Sequence, residues 1–290
     1  RYEGLQIRIP KTVVIGTDVY DEFLEQFDIQ ELLATKTDEE VTTLLRGVAL
    51  PAKVVNDLWA AVNELKGPLA VRSSSLLEDS RFQPFAGVYA TYMLPNNHPD
   101  PKVRLQQLCQ AIQSVYASVF WREARTYVAG TPHEVEDQKM AVVIQQVVGR
   151  QYGSRFYPNM SGVAQSYNDY PIGNQKPEDG IAHIALGLGH IVVGGGTSLR
   201  FSPASPTVMP QFPTAESVLR QSQHEFWAVD LSHPNFSLTS DAEATLNRFP
   251  LKAAQEDGTL ALAGSVFCEG DDVIRENLKL PGPRVVTFNN

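Results

Sequence analysis

A chain of 290 residues with 24 Lys and Arg against 33 Asp and Glu carries a net charge of −9. That balance argues against a nucleic-acid surface or a polybasic membrane surface, while leaving room for a local cationic pocket. With 43% hydrophobic and 20% charged residues the composition is that of an ordinary globular protein, long enough for one large domain or two modest ones. The two cysteines, Cys109 and Cys268, lack metal-ligand spacing, no apolar run approaches the length of a membrane span, and residues 1–11 have no signal-peptide core. A cytoplasmic setting is the expectation, with no nucleic-acid or membrane partner. The chain also opens without methionine and in mid-pattern, as a piece of a longer protein would.

Thr12 to Gly16 is a short β-rich run, and Thr17 or Asp18 caps a helix with Val19, Phe23, Leu24 and Phe27 at helical spacing. A second helical pattern covers about Asp38 to Arg46, stopped by Gly47. A third opens at Pro51 and closes near Gly67-Pro68, with Val54, Val55, Leu58, Trp59 and Val62 on one stripe. From Gly67 to Leu94 the pattern reads strand, loop, strand: the apolar run Leu69-Ala70-Val71, then Arg72 and Ser73 to Ser75, then Phe85-Ala86-Gly87 and a period-two run from Val88 to Leu94. Asp100-Pro101 starts a helix whose period runs on to about Val128, the longest expected here. Strand-like runs follow at Met140–Val148, Met160–Ala164 and Ile181–Leu186. Glycine-dense turns at Gly187–Gly189 and Gly194–Gly196 flank Ile191 to Val193. A helical segment at Ala215–Gln223 and strands at Ala261–Phe267 and Arg284–Phe288 complete the reading. Helices and strands alternate in the first half and strands predominate in the second, which favours an α/β or α+β fold.

A fixed guanidinium and clustered hydroxyls at a strand end suit polyphosphate, since guanidinium binds phosphate oxygens bidentately. On spacing alone, Arg72 with Ser73 to Ser75 fits a solvated turn equally well. Glu78-Asp79 reads as a solvated acidic patch. Gln145-Gln146 lies in an apolar strand, so at least one amide needs partners, which backbone or a purine edge could supply. The 187–196 turn lacks the G-x-G-x-x-G opening and the Walker-A lysine. The six histidines form no zinc pattern, and no G-x-S-x-G elbow is present.

The segment AVRSSSLLEDSRFQPFAGVYATYML resembles the V-R-S-S-(A/S)…E-D…F-A-G-x-x-x-T motif in the nucleotide-binding domain of the phosphoenolpyruvate synthase and pyruvate, phosphate dikinase family. Three further blocks agree in order: IPKTVVIGTDVYDEFL, MAVVIQQVVG with Ser161-Gly162-Val163-Ala164, and ALGLGHIVVGGG, together spanning roughly residues 9–203. The resemblance implies an ATP-grasp fold of α/β (α+β) class, two lobes with nucleotide between them and truncated at both ends. Residues 1–213 would be the partial ATP-grasp domain and 214–290 an extension of it. Arg72 and Ser73 would meet the ATP phosphates, Gly87 and Thr91 would close over them, and Gln145 would lie on the adenine side. ATP would be the cofactor, with Mg2+ implied by the family. The partners would be phosphohistidine and pyruvate/PEP-binding domains of the same longer polypeptide, ATP phosphorylating a histidine on a separate swivelling domain and the phosphoryl group then passing to pyruvate.

Departures from the family pattern accompany these matches. The G-G-K lysine belongs upstream of the first strand, and Lys11 is not its equivalent. The acidic metal pair and the Q-x-R pair are not found up to Asn290, leaving no metal ligands assigned, and His190 stands where the family has glutamate. The isolated chain is therefore expected to be inactive in phosphoryl transfer, which relies on metal and cationic stabilisation of the transferring oxygens. A non-catalytic nucleotide-sensing or interaction module of the same fold is the alternative.

Overall fold

The structure, a computed structural model, describes residues 4–75, 78, 87–130, 135, 138–209, 211–239 and 241–289. It is mixed α/β and divides into two compact units, 1–148 with 229–245, and 149–228 with 246–290. Residues 214–290, expected as one extension, are shared between the two units.

In the first unit the described elements run β1 (Thr12–Ile15), α1 (Thr17–Leu24), α2 (Ile29–Thr35), α3 (Asp38–Arg46), α4 (Ala52–Glu64), β2 (Leu69–Ser74), β3 (Thr91–Leu94), α5 (Pro101–Ser118), α6 (Arg122–Val128) and β4 (Ala141–Gln146). The strands form one antiparallel sheet in the order β1-β4-β2-β3. Alternation along each strand gives the sheet two different faces. Leu69 and Val71, Tyr92 and Leu94, and Val142 and Ile144 are buried and join one core with α3, α4 and α5. From Ala111 to Tyr116 the apolar residues of α5 are fully buried, so this helix is the keel against which β2 and β3 pack.

The helix expected from residue 100 to 128 is two helices. Trp121 leaves the helical path with ψ 152°, its indole N–H donates to Thr42 Oγ1 at 3.0 Å, and Asp38 Oδ1 accepts from the Arg122 N–H at 2.8 Å. Those side-chain bonds to α3 replace the backbone bonds that continuation would have made. The strand expected from Val88 starts instead at Thr91. The Ala90 N–H is turned to the buried Ser118 Oγ at 3.1 Å, and that hydroxyl donates to Val115 O at 2.7 Å.

Residues 229–245 return to the first unit. Asn97 donates to Leu231 O, Gln107 to Pro234 O, and the Thr245 hydroxyl to Met93 O. Arg46 spends its guanidinium on Ser114 Oγ at 2.6 Å, Leu238 O at 2.7 Å and Thr239 O at 2.6 Å.

The second unit contains β5 (Arg150–Tyr152), β6 (Arg155–Tyr157), β7 (Ser161–Gln165), β8 (Ile181–Ala185), α7 (His190–Val193), β9 (Leu199–Phe201), α8 (Ala215–Gln221), β10 (Glu225–Asp230), β11 (Leu246–Pro250), α9 (Leu251–Glu256), β12 (Gly264–Cys268), β13 (Val273–Arg275) and β14 (Arg284–Val286), with β10 running across the division at its C-terminal end. Their sheets have the orders β11-β10-β6-β5, β7-β8-β9 and β13-β12-β14. Asp257 ties two of these regions together, accepting from Arg155 at 2.6 and 3.0 Å and from the Tyr157 hydroxyl at 2.6 Å. Burial would raise the Asp257 pKa, but the bonds from Arg155 and Tyr157 outweigh it and hold the carboxyl below the usual aspartate range.

Two outcomes follow for stability. Ser118→Ala leaves the buried Ala90 N–H without an acceptor, which costs about 1–3 kcal/mol. Urea unfolding reads that loss, and hydrogen exchange reads faster exchange at the Ala90 amide. Because the folded pKa of Asp257 is depressed, its contribution is present above the unfolded value and lost as pH falls through the folded one. Asp257→Asn therefore lowers stability by roughly 1.5–3 kcal/mol near neutral pH, and the difference from the parent chain shrinks in acid, below about pH 4.

Candidate nucleotide-binding face

The sheet of the first unit offers its other face as the candidate site. Register places Val14, Val143, Arg72 and Thr91 in one row across β1, β4, β2 and β3, and Thr12, Gln145, Ala70 and Met93 in the next. Paired residues of antiparallel strands point to the same side, so Arg72, Thr91 and Gln145 share this face. Arg72 and Thr91 are direct cross-strand neighbours. Gln145 sits diagonally from Arg72, about 7–8 Å away by strand geometry.

Arg72 is exposed, and among the described residues its guanidinium makes no ion pair or hydrogen bond. Gln145 Nε2 donates to Thr12 Oγ1 at 3.1 Å, which fixes the amide plane while its carbonyl oxygen keeps its lone pairs. Val14 is 61% exposed on the same face, and Val143 and Met93 are half-buried there. An unneutralised guanidinium at one end, an oriented amide and apolar surface between them suit a ligand with an anionic end and a planar, hydrogen-bonding body. Thr12, Val14 and Met93 were not singled out in the sequence. Alternation within β1 would have placed Thr12 and Val14 on one face, but not beside Gln145.

Gly87 precedes β3 with φ +84°, the left-handed region that favours glycine, and among the described residues nothing lies within 4 Å of where a Cβ would stand. The backbone conformation is what accounts for the glycine. Phe85 and Ala86, the rest of the F-A-G block, lie outside the described residues, as does Asp79. Ser73 is not brought to this face. Adjacent strand residues point to opposite sides, and Ser73 Oγ donates to Glu78 Oε1 at 2.8 Å. Glu78 is correspondingly no solvated patch: its other oxygen accepts from the Ser75 N–H at 2.9 Å, so it pins the turn that leaves β2.

In the second unit, the glycine-dense segment forms a helical turn, α7, and not an open loop. Gly187 has φ +85°, and a Cβ there would lie 2.8 Å from Trp227 O, so glycine is required for the close approach to β10. Ser161 Oγ donates to Gly187 O at 2.7 Å, and the Leu188 N–H to Trp227 O at 3.0 Å. His190 meets the Trp227 ring edge-on with centroids 4.7 Å apart, and the Arg248 guanidinium carbon is 5.5 Å from the centroid of the same ring. Among the described residues, no three His, Cys, Asp or Glu side chains gather in a way that could hold a metal ion. Among them, too, no helix is long and apolar enough to cross a membrane.

Comparison with known proteins matches the chain to a family. Residues 2–231 match the model of the pyruvate phosphate dikinase AMP/ATP-binding domain. The chain is similar to rifampicin phosphotransferase of Streptomyces sviceus, 27% identical over 211 residues, covering 67% of this chain and 22% of that protein. It is also similar to the uncharacterized phosphotransferase YvkC of Bacillus subtilis, 25% identical over 193 residues, covering 66% of this chain and 20% of that protein. The chain thus spans about a fifth of the length of the curated relatives it matches. With the match extending over most of its length, the chain belongs to the pyruvate phosphate dikinase AMP/ATP-binding domain family, the nucleotide-binding domain of phosphotransferases.

Proposed function

We propose that the chain binds ATP on the outer face of the β1-β4-β2-β3 sheet, as the nucleotide-binding part of a longer phosphotransferase of the phosphoenolpyruvate synthase type with an ATP-grasp fold. Arg72 takes the phosphates, Thr91 supplies a hydroxyl beside it, and the Gln145 amide faces the adenine. Gly87 supplies the left-handed turn that leads into β3, and Ser73 acts one step removed, with Glu78, in holding the end of β2. The observation that carries this reading is Arg72: an exposed guanidinium without a partner among the described residues, on a strand pair that sets it directly opposite Thr91. Family membership supports the nucleotide. In the intact polypeptide the phosphoryl group would pass to a histidine on a separate swivelling domain and from there to an acceptor, pyruvate by the resemblance. The free cysteines Cys109 and Cys268 suit a reducing, cytoplasmic setting.

A non-catalytic nucleotide-sensing module is the second reading. It is favoured by His190, which replaces a family glutamate and packs on Trp227.

A charge-assisted bond contributes about 1.5–3 kcal/mol, so Arg72→Ala weakens ATP binding by one to two decades while leaving the unfolding midpoint unchanged. An unchanged affinity in calorimetry removes Arg72 from the site. For the two readings of the intact polypeptide, the decisive measurement is ATP consumption with and without pyruvate. AMP and phosphoenolpyruvate formation is the expected outcome, and binding without turnover would leave the sensing module standing.

A further inference from the structure

We propose that the second unit carries a separate binding site for a small organic anion, a carboxylate or phosphate ester on a short apolar body, in the cavity beside α9 and β14. The cavity measures about 630 Å³, a volume suited to a small metabolite. All of its lining except His224 lies beyond residue 231, where the family match ends.

Three basic side chains, His224, Lys252 and Arg284, line it, with Leu251 and Pro283 as apolar surface. Arg284 carries the argument. Its Nε donates to Gln255 Oε1 at 2.7 Å, Nη1 to Gly282 O at 2.5 Å and Nη2 to Leu278 O at 3.0 Å. All three acceptors are neutral. A guanidinium has five N–H groups, so it is held in place with two donors left, and among the described residues no carboxylate pairs with it.

The surrounding backbone is fixed as well. Gly282 has φ +132°, and a Cβ there would lie 2.1 Å from Phe267 O, so the loop is clamped against β12. The Phe267 N–H donates to Pro283 O at 2.9 Å. His224 is tied to the start of α9 by the Leu251 N–H, which donates to His224 O at 3.2 Å. Lys252 is exposed and makes no ion pair among the described residues. Glu256, one turn further along α9, is the carboxylate among the lining residues and pairs with neither cation. Arg155 shows the contrasting arrangement in the same unit, its charge neutralised by Asp257 at 2.6 Å. A pre-positioned guanidinium, a free ammonium and an imidazole around an apolar floor recognise an oxyanion with a small hydrophobic group.

Calorimetric titration of the chain with phenyl phosphate tests this. Saturable binding is expected, and Lys252→Glu should weaken it by on the order of tenfold or more. Lys53→Glu, an exposed charge reversal in the first unit, should leave it unchanged, as should Arg72→Ala or saturating ATP. Lys252→Gln, which keeps the helix and removes only the charge, should show a smaller loss in the same direction. Absence of binding by the parent chain, equal binding by both Lys252 variants, or loss of binding in Arg72→Ala overturns the proposal. The last result would assign the probe to the sheet face, and failure of ATP binding there has no bearing on this cavity.

Discussion

Strand β2 is paired on both sides, and almost everything functional in the first unit depends on that register. Leu69 and Val71 are committed to the core against α5, so Ala70 and Arg72 are committed to the other face. A slip by one residue would bury a guanidinium and expose two core side chains, a change no local contact could offset. The same ladder sets Arg72 opposite Thr91 on one neighbour and Val143 on the other, with Gln145 one pair further along. Core packing on one side of the sheet is therefore what aims the polar groups on the other. The buried Ser118 hydroxyl extends this control to the approach to β3 by holding the Ala90 N–H.

Much of the fold was legible in the sequence. Apolar periodicity located α3 and α4, cap and proline chemistry located the start of α5, and β-rich runs located β1, β4, β7 and β8. Less legible were boundaries decided by contacts between distant residues. The break after Ser118 depends on Thr42 and Asp38, nearly eighty residues away in sequence, and the late start of β3 depends on Ser118. The short pair β5 and β6 has too few residues for a period to register. For the site, the motif blocks pointed to Arg72, Gly87, Thr91 and Gln145, but they were silent on which strands pair. Ser73 illustrates the limit: in the motif it is inseparable from Arg72, yet a strand turns neighbours to opposite sides, and its hydroxyl goes to Glu78.

The glycine segment of the second unit shows how one motif can serve packing. Gly187 admits the backbone of β10, and Ser161 holds the Gly187 carbonyl. His190 and Arg248 both use the Trp227 ring. An imidazole on an indole edge gains contact area without carrying the fixed negative charge that a glutamate would place there.

Arg46 and its three bonds have a consequence for how the chain must be made. Two of its acceptors, Leu238 O and Thr239 O, belong to a segment that follows eighty residues of the second unit. During synthesis the first unit therefore waits, with a half-buried guanidinium short of two acceptors, until ribosomal elongation has passed residue 239. The second unit is likewise finished only after that return, since residues 246–290 come later still. Neither unit is a contiguous stretch of gene, so a recombination event that cut at residue 148 or 213 would transfer an incomplete domain. The smallest heritable module that keeps Arg46 satisfied runs past 239, through most of the second unit.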